Sequence, residues 1–193
     1  MPRPREFDID EALEAAMQVF WQRGYRNTSM RDLLAAMQIG QSSFYETFGN
    51  KRELYLRSLD RFHAFAQSGP VMALEVESDI PGAVRSFFEG MVEAMTGDNP
   101  VGCFFGNASV ENSGADADVS RFCRAGFDFI RGRFEQALGH ARELGEIGRD
   151  QDPAALASFF VSTFYGLQVL AKSGIDRSVL EDTIEVALNR IGA

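Results

Sequence analysis

The chain has 193 residues, 45% of them apolar and 24% charged, with a formal net charge of −9. Those proportions are ordinary for a soluble globular protein and allow a substantial core, either as one unit or as a small head on a larger domain. No uninterrupted apolar run approaches the ~18 residues of a membrane span. The start, Met1-Pro-Arg-Pro-Arg-Glu, lacks the apolar stretch of a secretory signal. With two cysteines, the expectation is a cytoplasmic protein with free thiols, not a disulfide scaffold.

In chain order, Ile9, Leu13, Ala16, Met17 and Phe20 recur at three and four, which predicts a first helix from about Asp8 to Arg23. Gly24 closes it as a C′ glycine. Asn27-Thr28-Ser29-Met30-Arg31-Asp32 is a start signal, with Ser29 as N-cap and Asp32 reaching back as the capping-box acid. The second helix is short, Met30 to about Met37. Gln38-Ile39-Gly40 turns into a third, roughly Gln41 to Thr47, and Asn50 can cap a fourth from Lys51 to about Gln67. Ser68-Gly69-Pro70 marks a boundary, which divides the chain into a unit of residues 1–67 and another of 68–193. Beyond it, the same period and Gly/Pro breaks predict helices near 71–77, 81–96, 102–112, 117–146, 153–173 and 177–191. Strand-like alternation is absent, so the expected class is all-α.

The negative charge is unevenly spread. Residues 1–67 carry nine Lys and Arg against nine Asp and Glu, whereas 68–193 carry ten against nineteen, so the whole excess sits there. Between Phe20 and Arg61 seven bases oppose four acids, a locally positive segment that suits phosphate while the acidic remainder does not.

Two helices as short as Met30–Met37 and Gln41–Thr47 are not stable alone. They need a shared core, supplied here by Phe20, Tyr25, Leu33, Leu34, Ile39, Phe44, Phe48 and Leu54. What the third helix then turns outward is Gln41, Ser42, Ser43, Tyr45 and Thr47, with Glu46 its one charge. Short or flat hydrogen-bonding groups suit the major groove: serines allow close approach, and glutamine can bond adenine through two atoms. Tyrosine and threonine hydroxyls are common phosphate contacts. The pattern predicts a helix-turn-helix over about 29–48; the simpler alternative is a three-helix core with polar outer residues.

The runs Phe20-Trp-Gln-Arg-Gly-Tyr25, Thr28-Ser-Met-Arg-Asp-Leu-Leu and Ile39-Gly-Gln-Ser-Ser-Phe-Tyr-Glu-Thr-Phe-Gly-Asn-Lys51 resemble the DNA-binding domain of the TetR family of transcriptional regulators over about residues 8–60. Gly102-Cys103-Phe-Phe-Gly-Asn107 resembles a Gly-Cys-x-x-x-Asn motif in the regulatory domain of one subgroup. The resemblance implies a ligand-responsive repressor that binds a palindromic operator in double-stranded DNA as a homodimer. It implies phosphate contacts from Thr28, Tyr45, Thr47 and Lys51, and base-edge contacts from Gln41, Ser42 and Ser43. Arg3 and Arg5 could follow the backbone or enter a minor groove, a disordered tail being the simpler reading. One departure stands out: the family usually has glycine where Gln38 stands. A left-handed Gln38 would cost about 1 kcal/mol, unless Gly40 takes the bend.

The resemblance also implies pairing through the last two helices. The stripes Leu156, Phe160, Thr163, Phe164, Leu167 and Leu170, then Val179, Leu180, Ile184 and Leu188, exceed what a terminal hairpin needs, so a four-helix dimer interface is expected. For an apolar or aromatic effector the candidate lining is Phe87, Phe104, Phe105, Asn107, Phe127, Phe164, Tyr165 and Gln168. Cys103, near a helix start, is a candidate sensor thiol, although a cysteine beside two phenylalanines is more often a small buried hydrophobe. His63 and His140 have no acid or cysteine at ligand spacing. No Ser-His-Asp order, phosphate loop or HExxH occurs, so no enzyme activity, metal or cofactor is expected. The reading from another class is a helical small-molecule-binding or scaffolding protein without DNA binding.

Overall fold

The computed structural model describes residues 7–97 and 101–191, so Arg3, Arg5 and all but the first residue of the predicted break Gly97-Asp-Asn-Pro100 lie outside the described residues. Among the described residues there are helices and no strands. They are α1 (Ile9–Arg23), α2 (Met30–Met37), α3 (Gln41–Phe48), α4 (Lys51–Gln67), α5 (Ile80–Thr96), α6 (Phe104–Asn112), α7 (Ala117–Leu144), α8 (Pro153–Lys172) and α9 (Arg177–Leu188). The predicted helix at 71–77 is instead a short 3-10 segment, Pro70–Leu74. Val71 and Leu74 are buried there, and the chain then leaves helical geometry at Glu75.

Local chemistry accounts for the ends. The Asp8 carboxylate accepts from the Asp10 and Glu11 amides and caps α1. Gly24, at φ 78°, closes it through its N–H to the Phe20 carbonyl. Ser29 and Asp32 form the reciprocal capping box of α2. Asn50 caps α4, its Oδ1 accepting from the Glu53 amide at 3.0 Å.

The turn between α2 and α3 resolves the question left by Gln38. Gln38 is left-handed, at φ 54° and ψ 38°, while Gly40 is extended, at φ −76° and ψ 157°. Gln38 therefore carries the ~1 kcal/mol strain that glycine would avoid. Gln38→Val places a β-branched side chain at positive φ and is expected to destabilise the protein by about 1–2 kcal/mol. Gln38→Gly is expected to change stability by less than ~1 kcal/mol, because relief of strain is offset by the greater freedom of glycine in the unfolded chain. Denaturant midpoints of the two variants check both.

The chain forms two compact units, and the division differs from a single cut at residue 67. The first comprises residues up to Phe65 together with Phe104–Cys123; the second comprises Ala66–Cys103 and Arg124 onward. Thus α6 and the start of α7 fold with the N-terminal helices. In the first unit, Ala16, Phe20, Leu33, Phe44, Phe48 and Leu54 have no exposed surface. Phe104 and Phe105 join this core, their rings 5.6 and 5.1 Å from that of Phe62. Trp21 stands edge-on to Phe62 at 4.9 Å.

The second unit is built on phenylalanine. Phe88, Phe134 and Phe160 are fully buried with centroids 5.6–6.0 Å apart, and Phe87 meets Phe134 and Phe164. The Glu146 carboxylate accepts from two successive amides, Asp79 at 2.7 Å and Ile80 at 2.8 Å, and so fixes the entry to α5. Arg85 pairs with Glu185 and Arg177 with Glu93, tying α5 to α9, and Arg177 also pairs with Glu181 on its own helix; these pairs are solvent-exposed, so they add little to stability.

Candidate nucleic-acid interface

The outward face of α3 follows from its inward one. Phe44 and Phe48 have no exposed surface, and on a helix that fixes which neighbours face out. Gln41, Ser42, Tyr45 and Glu46 are exposed, Ser43 and Thr47 half-exposed. Tyr45 is 49% exposed, yet its ring is held edge-on against Phe44 at 5.3 Å. The surface is therefore polar, uncharged save for Glu46, and anchored by aromatic packing beneath it.

Two of the expected phosphate contacts are differently placed. Thr28 is only 2% exposed, and its hydroxyl donates to the Gly24 carbonyl at 2.6 Å. A hydroxyl has one hydrogen, so in this arrangement none is left for a phosphate oxygen. Lys51 is half-buried; its Nζ donates to the Tyr25 carbonyl at 2.5 Å and lies 4.3 Å over the Tyr25 ring. Burial lowers its pKa from the ordinary lysine value, an effect the Glu111 carboxylate opposes. Lys51 thus braces the turn between α1 and α2.

That turn is also held from the other side. The Glu111 carboxylate on α6 accepts from the Tyr25 amide at 2.7 Å and the Arg26 amide at 2.6 Å. The Tyr25 residue is consequently gripped at its N–H by Glu111 and at its C=O by Lys51. Nearby, Arg52 on α4 donates to Asp116 at 2.6 and 2.9 Å and to Asp118 at 2.7 Å. The Arg52 hydrogen bond holds the Asp116 carboxyl at about 2, below its ordinary value. Sequence spacing signals none of these roles. Glu111 and Tyr25 are 86 positions apart, and no local pattern links them.

The expected effector lining is divided between the units. Phe104, Phe105 and Asn107 belong to the first; the two phenylalanines are spent on packing there. Phe87, Phe127, Phe164, Tyr165 and Gln168 remain together in the second: Phe127 lies 4.7 Å from Tyr165, and Phe164 lies 5.0 Å from it. Cys103 is 7% exposed. Its N–H donates to Gln168 Oε1 at 2.6 Å and its Sγ lies 3.7 Å from Tyr165 Oη. Among the described residues no group of three or more His, Cys, Asp or Glu is placed to hold a metal.

The expected dimer face requires correction. Phe160, Phe164, Leu167, Ile184 and Leu188 are at most 5% exposed, so they fill the core of the chain's own second unit. The opposite face of α8 is the open one: Phe159 is 41% exposed, Val169 63% and Leu170 36%, with Ser162 and Gly166 between them. Leu156 and Thr163 are half-exposed at its edge. On α9, Val179 and Val186 are 39% and 63% exposed. With both faces apolar, α8 is by length and composition apolar enough to cross a membrane, although short polar residues interrupt its sequence.

Residues 12–57 match the family described as bacterial regulatory proteins, tetR family, and residues 81–186 match the tetracyclin repressor-like C-terminal domain. The chain is 29% identical over 191 residues to the uncharacterised HTH-type transcriptional regulator YezE of Bacillus subtilis (strain 168), covering 98% of each. It is 30% identical over 187 residues to the HTH-type transcriptional repressor ComR of Escherichia coli (strain K12), covering 96% of this chain and 88% of ComR. Its fold matches a cysteine mutant of the TetR family regulator CifR, solved with 26-base-pair operator DNA, at a TM-score of 0.78 and 30% identity over 97% of this chain and 98% of that one. A helix-turn-helix with a polar outer face, joined to a helical second unit and matched along nearly its whole length, places the chain in the TetR family of DNA-binding transcriptional regulators.

Proposed function

We propose that the protein is a ligand-responsive repressor acting in the cytoplasm, a homodimer that binds a palindromic operator with one half-site per subunit. The observation that carries the DNA reading is the face of α3: exposed hydrogen-bonding side chains on a helix whose other face is fully buried. Gln41, Ser42 and Ser43 read base edges, and Tyr45 and Thr47 bind phosphate. Lys51 supports Tyr25 and offers its remaining protons to the backbone, while Thr28 acts by closing the turn. The repressor named ComR and the operator complex of CifR support this reading.

Fragments selected from genomic DNA and read by gel shift test it. Tyr45→Ala is expected to weaken binding to every fragment about tenfold, whereas Gln41→Ala relaxes preference at particular base pairs. Unchanged shifts for both variants would remove α3 from the interface.

The exposed face of α8 and α9 supports a second copy as its occupant. It is apolar, and Gly166 and Ser162 allow a helix to approach closely. A two-fold interface doubles every change, so Val169→Glu brings two carboxylates into an apolar seam. The expected result is at least 100-fold weaker dimerisation, seen as monomer at micromolar concentration by light scattering. The effector, apolar or aromatic, is assigned to the second unit beside Phe87, Phe127, Phe164, Tyr165 and Gln168. Its binding would shift the dimer to a state with different spacing of the reading heads.

A further inference from the structure

A cleft of about 210 Å³ opens within the first unit, where the α1–α2 turn, α4, α6 and the start of α7 meet. Tyr25 and Tyr55 line it, their rings 4.8 Å apart and tilted by 45°, together with Ala108, Ala115 and Val119. The charged groups at its edge are largely engaged. Both oxygens of Glu111 accept backbone amides, and Arg52 is paired with Asp116 and Asp118.

Apart from Arg26, which is exposed, one polar group is left over. Tyr55 is 4% exposed and lines the cleft, yet among the described residues its hydroxyl makes no hydrogen bond. The hydroxyl is a donor open to the cleft, and a ligand acceptor would take it in place of solvent. Burial, with Glu111 adding to it, pushes the phenol above its ordinary range, so it stays protonated and able to donate. Size narrows the occupant further: an apolar cavity of ~150 Å³ holds benzene, so this cleft takes one ring and a short substituent. Charge narrows it again, since an anion would meet Glu111 and Asp116, and a cation would meet Arg26 and Arg52.

We propose that this cleft binds a small uncharged aromatic molecule with one hydrogen-bond acceptor, such as an aryl ketone, the acceptor taking the Tyr55 hydroxyl. The site is separate from the effector region of the second unit. An occupant would rest against Tyr25, the residue that Glu111 and Lys51 already hold, and so stabilise the DNA-reading unit.

Acetophenone, with cumene as a near-isostere lacking the acceptor, tests this on the full chain by calorimetry and methyl NMR. Expected are an acetophenone Kd of about 1 mM and shifts at the methyls of Ala108, Ala115 and Val119. Tyr55→Phe should weaken acetophenone about fivefold and leave cumene unchanged, while Ala115→Leu, at an exposed position on the rim, should weaken both. Absence of binding at 10 mM (about ten times that Kd), equal acetophenone affinity in Tyr55→Phe, full binding in Ala115→Leu, or shifts confined to methyls of the second unit would each overturn the assignment.

Discussion

Phe44→Ala is expected to destabilise the DNA-reading unit by about 3–5 kcal/mol and to abolish operator binding. Phe44 has no exposed surface, packs edge-on against Tyr45 and contacts Phe48 at 6.0 Å. Its loss leaves a cavity that an eight-residue helix cannot close without moving the reading face. Single domains are stable by only ~5–15 kcal/mol in total, and a helix of this length has no stability of its own. Phe44→Leu, which nearly keeps the volume, should cost less than ~1.5 kcal/mol and retain binding. Denaturant midpoints and gel shifts of the two variants give the contrast. Wild-type DNA affinity in Phe44→Ala would show that the order of α3 is irrelevant to recognition.

Glu111→Ala is expected to weaken operator binding although Glu111 is not among the proposed DNA contacts. Its carboxylate supplies the acceptor for two successive amides, and hydrogen bonds to a charged group contribute ~1.5–3 kcal/mol each when buried. The Arg26 bond is exposed, so water replaces part of the loss and the total is nearer ~2 kcal/mol, or roughly 30-fold in local opening. Hydrogen exchange at the Tyr25 and Arg26 amides should accelerate by that order, with a parallel fall in DNA affinity. Glu111→Gln keeps one neutral acceptor and should lie between. Unaltered exchange at both amides would show that the turn holds without α6.

Much of the reading head was legible because its determinants are local. Ser29 with Asp32, Gly24, and Asn50 each act within four residues, so spacing alone indicated them. Gln38 was legible as a conditional: either it or Gly40 had to bend, and the structure selects Gln38. Which face of α8 is buried was not legible, for a physical reason. α8 is apolar on both sides, so its period marks two stripes without saying which faces inward; the bulkier one, with Phe160, Phe164 and Leu167, fills the core. The assignment of α6 to the head was also hidden, since it depends on Glu111, Phe104 and Phe105 finding partners far back in the chain.

The aromatic inventory of the head has a practical consequence. The chain has one tryptophan and four tyrosines; Trp21, Tyr25, Tyr45 and Tyr55 all belong to the first unit, leaving Tyr165 in the second. Phenylalanine, which dominates the second unit, barely absorbs at the wavelengths that excite tryptophan. Intrinsic emission excited at long wavelength is therefore a built-in optical probe of the reading head alone, while far-ultraviolet dichroism reports helices in both units. Melting curves followed by the two signals coincide only if the units unfold as one cooperative block, so native Trp21 makes their independence measurable without any label.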